Sequence, residues 1–303
     1  MSGCAITTRS CAGRGEVRSG RCASVGDMRL HVGCAMWTHP AWQQAPSERL
    51  RSYADRCTAV EGNTTFYATP ARRTVESWAR QTDSDFRFMM KLPKTVTHER
   101  RMSGADAELG AFLDAVEPLG PRLHALWAQL PASFGPTDLG VLAAFLRGLP
   151  RTYRPAVEVR HRAFFEDERA ARQLESVLGR VGGEWITFDT TLLFDGAPIS
   201  PAEREAWSKK PRVPRRTVAL TEHPIVRFHG RDAEERTVAG WRPWVDVVAD
   251  WLREGRSPTM FIHTPDNAAS LELARRFHDE VRARVPELTP LPEPAPAEPM
   301  TLF

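Results

Sequence analysis

The sequence predicts a single-domain α/β fold, a TIM-like (β/α)8 barrel, on three observations. Eight short β-branched or aromatic runs recur along the chain. Helix-length amphipathic segments separate them, the pattern of parallel strands joined by crossover helices. Together they occupy roughly 255 residues, close to the usual size of such a barrel. An open doubly wound sheet is the alternative fold. It has fewer strands and usually a Gly-rich phosphate loop, and no GxGxxG or Walker pattern occurs in the chain.

The elements follow in order. The first run is 29–33 (RLHVG), and Ser47 can cap the helical segment SERLRSYADR after it. The second is 58–62 (TAVEG), after which Thr69 and Pro70 can open PARRTVESWARQ. The third to sixth are 86–92 (FRFMMKL), 123–130 (LHALWAQL), 156–160 (AVEVR) and 184–189 (EWITFD). The seventh is 225–230 (IVRFHG) and the eighth 259–263 (TMFIH), with Pro265 and Asp266 placed to open the last helix, DNAASLELARRFHDEVRARV.

The 303 residues are 42% hydrophobic and 26% charged, an ordinary globular composition. No apolar stretch approaches the roughly 18 residues needed to span a bilayer, and the first 27 residues lack a signal-peptide core, so the expected address is cytoplasmic and no membrane partner is expected. Five cysteines, none in a CxxC pair, indicate neither a disulfide framework nor a cysteine zinc site. Residues 1–27, rich in Gly, Ser, Arg and Cys, read as a disordered leader, with Met28 a candidate start. Without them the formal charge falls from +3 to about +1, so net charge does not argue for nucleic acid. The barrel is expected over 28–285 and a stiff Pro-rich tail over 286–303, with six prolines between 286 and 299.

In a barrel of this kind the active site lies at the carboxyl ends of the strands. Polar residues end seven of the eight runs: Glu61 and Asn63, Lys91, Gln129, Glu158 with Arg160 and His161, Asp189, Arg227 with His229, and His263 with Asp266. One such residue alone is usually a cap or a buried hydrogen-bond partner, but so many at one rim call for a polar, wet cleft. Arg and Lys there suit a phosphate or carboxylate, while Glu158 and His161, flanking Arg160, are the leading acid–base pair, with Glu61 and Asp189 as further catalytic candidates. His, Glu and Asp are also zinc or manganese ligands, yet no HExxH or HxH pair fixes two of them and cations interleave. A divalent metal is therefore possible but not favoured, and the cofactor is left unassigned. Aromatic residues follow the strands as well: Trp37, Trp42, Phe66, Tyr67, Phe134, Phe164 and Phe165. They are either loop packing or a stacking surface for a base or sugar. Between the sixth and seventh runs, KKPRVPRR carries Lys209, Lys210, Arg212, Arg215 and Arg216, a solvated loop or one able to track a phosphate backbone.

The runs AVEGNTTFYATP, FRFMMKLP with THE (His98) after it, AQLPASFGP, AVEVRHRAFF, KKPRVP, IVRFHG and FIHTPD resemble the YecE-like family of bacterial proteins, a domain of unknown function, DUF72. The similarity spans residues 29–285. It implies a TIM-like barrel, and the likeness of such barrels to the endonuclease IV type implies DNA or RNA as a ligand, although no metal-ligand set maps onto this sequence. With Trp37, Tyr67 and His98 added to the strand-end residues, the reading is an enzyme or enzyme-derived barrel acting on a phosphodiester or sugar phosphate. The alternatives are a non-catalytic DNA-repair accessory and a sugar or sugar-phosphate enzyme. The terminal Met300, Thr301, Leu302 and Phe303 resemble the end of a sliding-clamp docking peptide, with Pro299 where its glutamine would stand.

Overall fold

The computed structural model describes residues 28–42 and 48–293. Nine parallel segments form one sheet: β1 (His31–Cys34), β2 (Ala59–Gly62), β3 (Arg87–Lys91), β4 (Leu123–Gln129), β5 (Pro155–Glu158), β6 (Glu184–Trp185), β7 (Thr187–Asp189), β8 (Ile225–His229) and β9 (Thr259–His263). Their order is β6-β5-β4-β3-β2-β1-β9-β8-β7. Each lies within, or within a residue of, an expected run. The sixth run is divided: β6 and β7 are separated by Ile186 alone, whose amide donates to Val157 at 2.9 Å. Its first half pairs with β5 and its second half with β8, so one strand in two registers brings the sheet nearly to closure as a barrel.

The helices are α1 (Arg49–Ala54), α2 (Arg72–Arg80), α3 (Asp106–Val116), α4 (Leu139–Gly148), α5 (Ala163–Glu166), α6 (Glu168–Gly179), α7 (Pro201–Lys209), α8 (Glu234–Arg253) and α9 (Ser270–Arg282). None among the described residues is long and apolar enough to cross a membrane.

Because strand side chains alternate in direction, each strand feeds two compartments. Ala59, Met89, Trp127, Ala156, Ile186 and Phe261 belong to a cluster inside the barrel. Val60, Phe88, Met90, Phe228 and Ile262, of opposite parity, join Trp241, Trp244 and Phe277 of the helices in the outer core. Each large side chain so buried contributes roughly 1.5–3 kcal/mol. Gly33 permits the tight approach of β1 to β2: a Cβ there would lie 2.0 Å from the Ala59 carbonyl oxygen.

The helix starts differ from expectation in two places. Helix α2 opens at Arg72 with Ala71 before it and no side-chain cap. Helix α9 opens at Ser270 rather than Asp266, because Asp266 Oδ1 accepts the Ala268 amide at 2.9 Å in a turn and Asn267 adopts a left-handed φ of 63°. Ser47 lies outside the described residues. Helix α6 has an effective cap, Asp167, whose Oδ1 accepts the Arg169 amide at 2.8 Å. Asp167→Ala is expected to cost about 1 kcal/mol, read as a lower urea midpoint at unchanged slope.

The boundary expected at residue 286 does not end the packing. Leu288 and Leu291 are buried in the outer core, and the Thr289 amide donates to Met28 at 3.3 Å. The expected leader, 1–27, and the expected docking peptide ending in Leu302 and Phe303 lie outside the described residues.

Candidate functional site

Two residues beyond the inner apolar layer, the same parity places Glu61, Lys91, Gln129, Glu158, Phe188, Arg227 and His263 at the carboxyl-terminal mouth, and one further step adds Arg160 and His229. Arg227 is the hub. Its Nε and Nη2 donate to Glu61 at 2.6 and 3.0 Å, and its Nη1 donates to Glu158 at 2.7 Å. Arg160 donates from Nε to Glu158 at 2.9 Å and from Nη2 to Gln129 at 2.8 Å. Asn63 holds Glu61 at 2.9 Å and the Ala35 carbonyl at 3.0 Å, tying β2 to the loop after β1.

Burial pushes both carboxyls up, but Arg227 with His263 outweighs it at Glu61, and Arg227 with Arg160 at Glu158, so both stay below the usual carboxylate range. Burial lowers His263, with Glu61 opposing, and its Nε2 donates a hydrogen bond to Glu61 at 2.9 Å. His229 stacks on His263 with ring centroids 4.3 Å apart, and its buried Nε2 has no hydrogen-bond partner among the described residues. Burial, then the neighbouring His263 and Lys210, hold His229 well below its ordinary value. These two histidines, Lys210 and Asn267 line a cavity of about 50 Å³.

The lysines complete the mouth. Lys91 Nζ makes no hydrogen bond among the described residues and sits 4.6 Å from the ring centroids of both Phe66 and Trp127. Burial first, then Arg227, bring it down to about 7. Lys210, turned inward from the basic loop, is lowered to about 8 by burial and by Arg227 and Arg160. Beside them His98 stands edge-on to Phe66 at 5.0 Å, lowered by burial and by the Arg160 and Lys91 charges.

Other expected residues lie elsewhere. Asp189 has the opposite parity and faces the helices, where Arg215 (2.8 Å), the Trp244 indole (2.6 Å) and the Thr191 amide (2.9 Å) engage its carboxylate. Glu158 and His161 do not form a pair. Glu158 is held by two arginines, whereas His161 Nδ1 accepts the Ala163 amide at 3.2 Å and its ring packs over Gly135. Asp266 shapes the turn before α9.

The basic loop does not offer five free cations. Lys209 pairs with Glu205, Arg212 lies over Phe194, Arg215 reaches Asp189 and Arg216 reaches Glu175. Among the aromatics, Phe134 and Phe164 are core residues, Trp42 donates to Ala268 at 2.8 Å, and Trp37 packs edge-on against Trp78. Tyr67 is 81% exposed and edge-on to Phe66.

Trp127 and Phe188, absent from the residues expected at the site, form the floor under Lys91, Arg227 and Arg160, with Arg227 Cζ 4.4 and 5.1 Å from their centroids. The signal was available: both share the inward parity of their strands. No group of three or more His, Cys, Asp or Glu among the described residues could hold a metal ion.

The family described as "Protein of unknown function DUF72" matches residues 31–299. The UPF0759 protein YecE of Escherichia coli K12 and its counterpart in the O157:H7 strain are each 35% identical over 263 residues, covering 87% of this chain and 96% of theirs. Among solved structures, a DUF72 family protein from Thermotoga maritima has a TM-score of 0.62 at 23% identity, covering 85% of this chain and 99% of that one. One from Enterococcus faecalis has a TM-score of 0.60 at 18% identity, covering 86% and 99%. At these identities the two structures establish the likeness of fold.

Proposed function

The chain belongs to the DUF72 family, and on that premise we propose that the carboxyl-terminal mouth of its barrel binds a small phosphate-bearing ligand. One observation carries the reading: four cationic side chains, Lys91, Arg160, Lys210 and Arg227, converge on two carboxylates, and the two arginines already engage both. Among the described residues the lysine ammoniums therefore lack hydrogen-bonded counter-charges, and burial with like-charge repulsion lowers their proton affinity. An anion in the cavity beside Lys210 would supply the missing charge and raise both lysines, so binding takes up protons near neutrality. Arg160 and Lys210 are the contacts to phosphate oxygens. Lys91, titrating near 7, is the proton-exchanging group of a phosphoester hydrolysis or transfer, a role Glu158 is poorly suited to while two guanidiniums occupy its oxygens.

A second reading, single-stranded nucleic acid, is favoured by the exposed Tyr67 ring beside Phe66. It is weakened by the engagement of the basic loop's arginines within the fold.

Calorimetric titration with inorganic phosphate, a sugar phosphate and a nucleoside monophosphate, alongside anisotropy of labelled single-stranded DNA over a salt series, tests both. The small phosphates are expected to bind, with affinity falling about tenfold or more in Lys210→Gln and Arg160→Ala. DNA binding that weakens steeply with salt and is lost in Tyr67→Ala would favour the second reading. No binding of any of these at low salt would remove phosphate from the mouth.

A further inference from the structure

The opposite, amino-terminal end of the barrel is also polar. His31 begins β1, Arg87 begins β3 and His124 is the second residue of β4, while Arg154 and His223 come from the loops before β5 and β8. A pocket of about 490 Å³ opens here, lined by His124, Arg154, Glu184, Thr221 and His223 among others. Arg154 Nη1 lies 3.2 Å from His124 Nδ1. A guanidinium can only donate, so Nδ1 accepts and the imidazole proton is on Nε2. That Nε2 is buried and has no hydrogen-bond partner among the described residues. The His223 ring stands edge-on to the His124 ring with centroids 5.3 Å apart, and its buried Nδ1 also has no hydrogen-bond partner among the described residues.

The surrounding charge is cationic. Arg87 donates to the Ser257 carbonyl and side chain and to Thr259, and it and Arg154 repel one another. The lining carboxylate, Glu184, is held by the Leu220 amide (3.1 Å), the Thr221 amide (2.9 Å) and the Thr221 hydroxyl (2.6 Å), leaving Glu222 exposed at the lip. Asp85 acts on Arg87, and Arg29 with Arg87 on His31. Two imidazoles with buried, unfilled nitrogens and a guanidinium thus line one pocket, in which Glu184 is already engaged and Glu222 stands at the lip.

We infer that this pocket is a second, separate oxyanion site, taking a phosphate or sulfate group between His124 Nε2, His223 Nδ1 and Arg154. It is independent of the reading of the mouth. Without an anion, burial and the charges of Arg154 and Arg87 hold His223 down to about 4. A bound anion offsets those charges, His223 Nδ1 gains a proton and becomes a donor, and affinity therefore rises as pH falls.

Sulfate is the probe, because its own charge is constant across the range. It is titrated into the full chain carrying Arg160→Ala and Lys210→Gln, which disable the mouth, while histidine ring resonances are followed by NMR. Saturable shifts of His124 and His223 are expected, stronger at about pH 5.5 than at about pH 7.5. Adding Arg154→Ala, a change at an exposed side chain, is expected to weaken them about tenfold or more. Absence of saturable shifts, or shifts indifferent to Arg154→Ala, would overturn the site. Failure of the mouth would be seen separately, as unmoved His98 and His229 resonances in the unaltered protein.

Discussion

Arg227→Met is expected to destabilise the protein by about 3–5 kcal/mol at neutral pH, because it leaves two carboxylates in the barrel without their common cation. Glu61 and Glu158 are fully buried, and Arg227 supplies three hydrogen bonds between them. The pH dependence gives this prediction its sign. In the native chain both folded carboxyls titrate below the ordinary 4.5, so their stabilising contribution is complete above that value and is lost as pH falls through the folded values. In the variant, burial acts with less opposition and raises the carboxyls, which then take up protons on folding. The stability gap is therefore expected to narrow as pH falls from 7 toward 5. Urea melts across that range check it, and a gap that widens on acidification would contradict the assignment. Adding Glu61→Gln and Glu158→Gln to Arg227→Met removes the stranded charges and is expected to recover part of the loss.

Lys91→Met is expected to act in the opposite direction, raising stability by roughly 2–4 kcal/mol at pH 7. A methionine fills the same slot between Phe66 and Trp127 with no ammonium to desolvate. The unfolded lysine binds its proton below the ordinary 10.5, the folded one only below about 7. Between these values the unfolded state holds more protons, so the native chain gains stability as pH rises through the window, and the cost is complete below about 7. The difference between variant and native chain should accordingly be largest at and below pH 7 and shrink toward pH 10. The same substitution is expected to abolish the proton uptake on phosphate binding attributed to Lys91. A gain in stability with lost ligand response is the signature of a residue retained for function at a cost in stability.

The barrel was legible because its signals are local. Runs such as FRFMMKL and TMFIH carry β-branched, aromatic and Met residues over strand lengths, and each produced a strand at its place. The mouth was partly legible for the same reason: a polar residue at the end of an apolar run marks where a strand leaves the core, which located Glu61, Lys91, Gln129, Glu158, Arg227, His229 and His263. Asp189 failed the one test the sequence allowed, since it is a single residue out of step with Ile186 and Phe188 and so faces the helices. The start of α9 was misplaced because Asp266 and Asn267 form their own turn, a competition between side chain and helix that short-range patterns leave unresolved.

What the sequence alone determined is therefore the set of strands and most of the charged groups collected at one rim. Tertiary structure decided which charges meet. Arg227 and Glu61 are 166 residues apart, and Glu158 a further strand group away, yet closure of the sheet places all three in one buried network. Likewise only the path of the loop carrying KKPRVPRR distinguishes Lys210, turned into the mouth, from Arg215 and Arg216, which are neutralised in the fold. Periodicity along a chain is a property of neighbouring residues, whereas the proton affinity and availability of a charge depend on groups brought to within a few ångströms by closure, and those distances exist only in the folded barrel.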